Sequence, residues 1–260
     1  MPHHVKRGDS PVKRGHRFFN FLIFIWNFFL DIFFPWQCLN CKKEISRFYP
    51  LCKKCQASIP VSYSFICPVC KKRIINFSKR YCSCKTNVNA LGMVSFYENS
   101  ILKKSLHLFK YQRIIFLQKP LSDLMIKFLK ETNFFSGINK ENILVIPIPL
   151  HKRKRNHRGF NQSELLAKAV ASHFSLNYHP EILLRIKNNP PQVKINNFSE
   201  REKNVKDIFQ ISDDSLNIIE NKWIILIDDV YTSGATMQEA ARVLKKFKVK
   251  KIIGLVLAKG

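Results

Sequence analysis

The chain has 260 residues, 46% of them hydrophobic, which is enough for one sizeable core with a small module attached and excludes a chain too polar to fold. Lys and Arg total 44 against 18 acids, a formal charge of +26, so the natural partners are anions such as nucleic acid, nucleotides and pyrophosphates. The excess is uneven: Lys152, Arg153, Lys154, Arg155 and Arg158 crowd into seven residues with no acid among them.

Residues 1–17 are basic, and residues 18–36 (FFNFLIFIWNFFLDIFFPW) are intensely apolar. Asn20, Asn27 and Asp31 fall on one helical face, Pro35 ends the run, and no small-residue cleavage site follows. The pattern predicts an amphipathic helix that packs on the protein or lies along a membrane surface. A transmembrane span is the competing reading. Residues 1–37 are therefore set apart as a basic tail and apolar helix. The expected location is the cytoplasm, with peripheral contact at the inner membrane.

All eight cysteines lie between positions 38 and 84. Cys38-x2-Cys41 is followed by Cys52-x2-Cys55, and Cys67-x2-Cys70 by Cys82-x-Cys84. Two residues between cysteines let both sulfurs of a tight turn face one ion, and two such turns make a tetrahedral thiolate site for zinc. The first set predicts one structural zinc and the second set another, although Cys-x-Cys is a less usual half. A disulfide framework would need an oxidising compartment. Residues 38–86 thus form an expected zinc module, too small to fold without metal. Its interleaved Lys/Arg and aromatics, among them Phe48, Tyr49, Tyr63, Phe65, Phe77 and Tyr81, suit either single-stranded nucleic acid or a small core beneath charge.

Residues 90–260 read as a larger domain. A strand is predicted over 91–97 and amphipathic helices over 99–111 and 118–131. The run ILVIPI at 143–148 predicts a buried strand, 149–158 a basic loop, and 161–174 a helix. A strand over 181–186 precedes a polar segment, 187–200, long enough to act as a lid. Ser199 and Glu202 form a capping pair, and 207–211 is a further strand. Strand 222–228, helix 236–247 and strand 250–257 close the chain. Strands alternating with helices predict an α/β fold with a parallel sheet flanked by helices.

The segment 224–236, IILIDDVYTSGAT, carries the chemistry. A buried strand enters two acids, then a loop of small residues, then a helix, and ligands in such sheets bind beyond the carboxyl ends of strands. Gly234 allows close approach, the hydroxyls of Thr232, Ser233 and Thr236 donate, and the amides through Ala235 can wrap a phosphate at the helix N-terminus. Asp228 and Asp229 would repel that phosphate, so they belong at a sugar's hydroxyls.

This segment resembles the phosphoribosyl pyrophosphate motif of type I phosphoribosyltransferases. The wider pattern is similar to the ComF family, whose members join an N-terminal zinc finger to a phosphoribosyltransferase-like domain and are associated with competence. It comprises the paired cysteines, VIPIPLHKRKRNHRGFNQSELLAK at 145–168, the motif above, and Gln192, Arg201, Asn204, Val205 and Phe209. Lys42 and Lys71 stand where that family often has glycine. The resemblance implies a type I phosphoribosyltransferase-like domain that binds phosphoribosyl pyrophosphate with Mg2+ through Asp228, Asp229 and Thr232–Thr236. It also implies a role in DNA uptake, contact with single-stranded DNA, and competence proteins as partners. Lys152, Arg153, Lys154, Arg155 and Arg158 would face pyrophosphate or a nucleic-acid backbone. The alternative is an active enzyme that transfers the phosphoribosyl group to an unknown acceptor, with Asp228 and Asp229 favouring a cationic sugar. No general base for an acceptor is identifiable from the sequence.

Overall fold

In the computed structural model, β8 (Trp223–Tyr231) lies within a seven-stranded sheet and is buried through its first five residues. A strand covered on both faces needs apolar side chains on both, which is why WIILI shows no alternation. The structure describes residues 36–46, 48–75, 77, 82–187 and 206–260, and the chain divides into two compact units, Met1–Cys52 and Lys53–Gly260. The expected helix over 18–36 except Trp36, the expected lid over 187–200 except Lys187, and the capping pair at Ser199 and Glu202 lie outside the described residues.

In the first unit the chain turns tightly at its first cysteine pair. Cys38 N–H donates to Lys43 O at 2.8 Å, and Lys42 N–H to Cys38 O at 3.0 Å, with Lys42 at φ 62°.

The second unit begins with the short helix α1 (Lys53–Ala57). The hairpin strands β1 (Phe65–Ile66) and β2 (Arg73–Ile74) pair antiparallel, and β1 pairs antiparallel with β3 (Ala90–Phe96). Helices α2 (Ser100–Tyr111) and α3 (Gln118–Glu131) follow, α2 capped by Asn99, whose side chain accepts from Leu102 N–H at 3.0 Å. Then come β4 (Ile143–Pro147), α4 (Lys152–Arg158), α5 (Gln162–Phe174), β5 (Asn177–Tyr178), β6 (Leu183–Arg185), β7 (Phe209–Ile211) and α6 (Leu216–Ile219). After β8 the chain ends with α7 (Ala235–Lys245) and β9 (Lys251–Lys259).

The sheet order is β2-β1-β3-β9-β8-β4-β5, and every pairing from β3 to β5 is parallel. Helix α7 packs on one face, where Met237 fills the space above Gly254; a Cβ there would collide with the thioether sulfur.

Three expectations need correction. Strands β6 and β7 do not join the parallel sheet but pair with each other, antiparallel. Their alternating apolar residues (Leu183, Phe209, Ile211) enter the core shared with α7, which uses one face only. The basic segment 149–158 is not a loop throughout. His151 Nδ1 accepts from Arg153 N–H at 3.2 Å and Gly159 ends the turn at φ 83°, so Lys152–Arg158 forms a short helix. Strand β8 also continues past 228, because β9 pairs with it out to Tyr231 and Lys259.

Candidate functional site

Asp228 and Asp229 both stand within β8, which runs on past them to Tyr231. Successive side chains of a strand point to opposite sides, so the two acids meet different neighbours. Asp228 Oδ1 accepts from Ser163 Oγ at 2.8 Å and from the Asp229 amide at 2.9 Å. Asp229 is buried at 7% exposure, and its Oδ1 lies 2.9 Å from Lys110 Nζ. Asp228 is half-buried. Burial, then the charge of Asp229, push it up to about 7, against the opposing pull of Ser163 and Lys110. Lys110 loses hydration there, yet the Asp229 charge and hydrogen bond outweigh that loss and raise it.

The supports of these side chains are local. Ser163 lies in the first turn of α5, whose start is fixed by Asn161. The Asn161 side chain accepts from Ser163 N–H at 3.2 Å and donates to Ile148 O at 3.0 Å, tying the helix to the end of β4. Lys110 lies in the last turn of α2, where burial of Leu102, Leu106 and Phe109 fixes the helix against the core.

The phosphate loop shortens to Thr232–Gly234, with Ala235 and Thr236 already in α7. Gly234 caps that helix at φ 79°, and a Cβ there would run into the ring and hydroxyl of Tyr231. Strain and collision together explain the glycine. The first bond of the helix runs from Gln238 N–H to Gly234 O at 2.9 Å, so the amides of Ala235, Thr236 and Met237 have no helical acceptor. Ser233 Oγ accepts weakly from the Ala235 amide at 3.4 Å.

The basic residues split by face. Lys154 and Arg158, one turn apart on α4, are partly buried, whereas Lys152, Arg153 and Arg155 are exposed. Arg155 reaches Glu164 at 3.4 Å, and Arg158 donates to Gln162 Oε1 at 3.0 Å. Burial lowers Lys154, and the charges of Arg185 and Arg158 lower it further. Burial also lowers Arg185, which the charge of Asp228 partly offsets. Three cations thus converge beside the acid that Ser163 holds.

Sequence reasoning singled out none of Ser163, Arg185 and Lys110. The dipeptide Lys110-Tyr111 was the visible sign of the lysine. The polar Asn161-Gln162-Ser163 run opening a helix was the sign of the serine. Arg185 left no local sign, because its place depends on the β6–β7 pairing.

The eight cysteines are free thiols in two groups of four: Cys38, Cys41, Cys52 and Cys55, and Cys67, Cys70, Cys82 and Cys84. Within each group the sulfurs lie within 4.8 Å of one another. A tetrahedral zinc with bonds of about 2.3 Å spreads its sulfurs about 3.8 Å apart, so both groups fit the ion. Burial opposes ionisation of Cys38, but amides of Cys52, Cys41 and Asn40 prevail and hold the thiol down at about 6, as a thiolate ligand requires. The second group repeats the first turn: Cys67 N–H donates to Lys72 O at 2.8 Å, Lys71 N–H to Cys67 O at 3.1 Å, and Lys71 has φ 64°. Among the described residues no helix is long and apolar enough to cross a membrane.

A parallel sheet with paired acids at a strand end and a small-residue turn into a helix defines a phosphoribosyl transferase domain, and the phosphoribosyl transferase domain family matches residues 161–260. Over a longer stretch the chain is 25% identical to competence protein F of Haemophilus influenzae, covering 83% of this chain and 86% of that one. It is 29% identical to competence protein ComFC of Bacillus subtilis, covering 80% and 82%. DNA utilization protein YhgH of Escherichia coli K12 matches at 24%, over 55% of this chain and 60% of that one. With its cysteine-rich N-terminal segment and this domain, the chain is similar to the competence proteins F and ComFC over most of its length.

Proposed function

We propose that the chain binds phosphoribosyl pyrophosphate at the end of β8 and single-stranded DNA on the adjoining basic surface, serving DNA uptake together with other competence proteins. The observation that carries this reading is a pair of carboxylates on β8 followed within a few residues by helix amides that have no helical acceptor. The sugar hydroxyls donate to Asp228 and Asp229, and the 5-phosphate takes the amides of Thr232–Thr236. Lys154, Arg158 and Arg185 neutralise the pyrophosphate, and Mg2+ bound with the ligand would offset part of its remaining charge. Lys110 must release Asp229 in part as the ribose enters.

The DNA reading rests on Tyr111. It is 60% exposed, its ring stands 5.0 Å from that of His107, and the Arg158 guanidinium lies 5.4 Å from its centroid. With Lys152 and Arg153 on the exposed side of α4, this offers a stacking platform beside phosphate-binding cations. Residues 38–86 are proposed as a zinc-held module and 90–260 as the ligand-binding domain. Contact of residues 18–36 with the inner membrane surface is part of the same proposal.

Calorimetry with phosphoribosyl pyrophosphate and Mg2+ tests the ligand. The parent binds and Asp229→Ala does not; equal heats from both refute the site. For DNA, affinity for oligothymidylate falls steeply with salt and drops in Tyr111→Ala, and salt-insensitive binding refutes that half.

Asp228 favours a second reading, transfer of the phosphoribosyl group. A carboxyl poised near neutrality beneath the sugar changes its charge where a cationic sugar would develop. In that case pyrophosphate is released only with donor, Mg2+ and an acceptor. Absence of release with nucleobases, amines and nucleic acids leaves binding alone.

A further inference from the structure

A cavity of about 700 Å³ is lined by Tyr231, Thr232 and Ser233 and by Pro68, Val69 and Lys71 of the second cysteine turn. Its polar lining comprises Lys71, Lys85 and Lys259 with Thr232, Ser233 and Gln238, and no carboxylate lines it. Each lysine is placed by a different feature. Lys71 follows Cys70 in the left-handed turn, and its ammonium donates back to Pro68 O. Lys85 follows Cys84. Lys259 ends β9, opposite Tyr231 of β8. Gln238 fixes the wall between them: its Oε1 accepts from the Asn87 amide at 2.9 Å and its Nε2 donates to Thr86 Oγ1 at 2.9 Å.

The geometry points to a second anion site in this cavity, built jointly by the second cysteine turn and the phosphoribosyl transferase domain, that takes a phosphate group on Lys71, Lys85, Lys259 and the Thr232 and Ser233 hydroxyls. Thiolates bound to zinc would attract the two lysines beside them. That attraction does not account for Lys259, which stands on a different element and faces the same space. Three cations around a polar void raise the potential inside it, and hydroxyls supply the directional donors a phosphate needs. The lining includes neither Asp228 nor Asp229, nor Gly234, Ala235 or Thr236, so the site does not depend on the ribose being held by the two acids. The phosphate can come from a small phosphorylated molecule or from a nucleic-acid strand.

Lysine acylation footprinting on the zinc-loaded full chain, read by mass spectrometry, distinguishes these sources. The probes are inorganic phosphate, ribose 5-phosphate and oligothymidylate. The expected result is severalfold protection of Lys259 and Lys71, retained in Asp229→Asn and weakened at Lys71 by Lys259→Met with zinc content unchanged. Protection by the small anions assigns a small phosphorylated ligand; protection by oligothymidylate alone assigns a strand. Unchanged acylation with all three probes overturns the site, as does protection that vanishes in Asp229→Asn, which would trace it to the ribose side.

Discussion

Replacing Lys110 by methionine removes the cation from the acidic end of β8 with little change in volume. The ion pair is 2.9 Å long, and its side chains are only 19% and 10% exposed. Removing one partner of a buried pair costs about 3–5 kcal/mol, and the residual exposure of both side chains reduces that to about 2–3 kcal/mol here. For a unit of this size each kcal/mol lowers the melting temperature by about 2–4 °C, so the loss is about 4–12 °C. The loss depends on pH through Asp228. Its folded value of about 7 is raised above that of the unfolded chain, so the folded state holds the extra proton and stability declines as pH rises through that window. Lys110 opposes this rise, and without it the decline steepens. Thermal melts of zinc-loaded parent and Lys110→Met at pH 5 and pH 8 check the argument. The deficit should be present at pH 5, larger at pH 8, and partly recovered by adding Asp229→Asn. An equal deficit at both pH values, or none at pH 8, refutes it.

Metal analysis should find two zinc ions per parent chain, and Cys67→Ser should lose one while keeping the other; loss of both would show that the groups are coupled. Lys42→Gly should relieve the left-handed backbone at φ 62° by about 1 kcal/mol, seen as slower zinc loss to a chelator. Gly234→Ala should lose about 2–3 kcal/mol through left-handed strain and collision with Tyr231, and should abolish phosphoribosyl pyrophosphate binding; calorimetry and urea unfolding measure both.

Much of the domain was legible because buried parallel strands announce themselves. The apolar runs at β4, β8 and β9 leave no alternative to a covered sheet, and Asn99 marks where α2 begins. The β6–β7 pairing was not legible, since two short alternating strands look alike whether they join a large sheet or each other. The overrun of β8 was hidden because two aspartates are poor strand formers, and only the hydrogen bonds offered by β9 hold them extended. For the same reason the acids were visible as a pair, but not their separation onto the Ser163 and Lys110 sides. The short helix Lys152–Arg158 escaped notice because its cap is a histidine, outside the usual capping residues.

The unequal lengths of neighbouring strands have a consequence for assembly. Pairing of β4 with β8 ends at Pro147 and Ile227, and Ile148 adds one last bond to Ile227 O at 2.9 Å, whereas β8 continues to Tyr231. The overhang is four residues, a ledge of about 13 Å. A bare sheet edge ordinarily invites another polypeptide to dock and extend it. This ledge is shorter than a typical strand and is flanked by Ser163 and Lys110, so it gives an incoming chain little to grip. A step of that height has room for a sugar ring, so the guest proposed there would meet main-chain polarity along a stretch too short for another polypeptide to pair with.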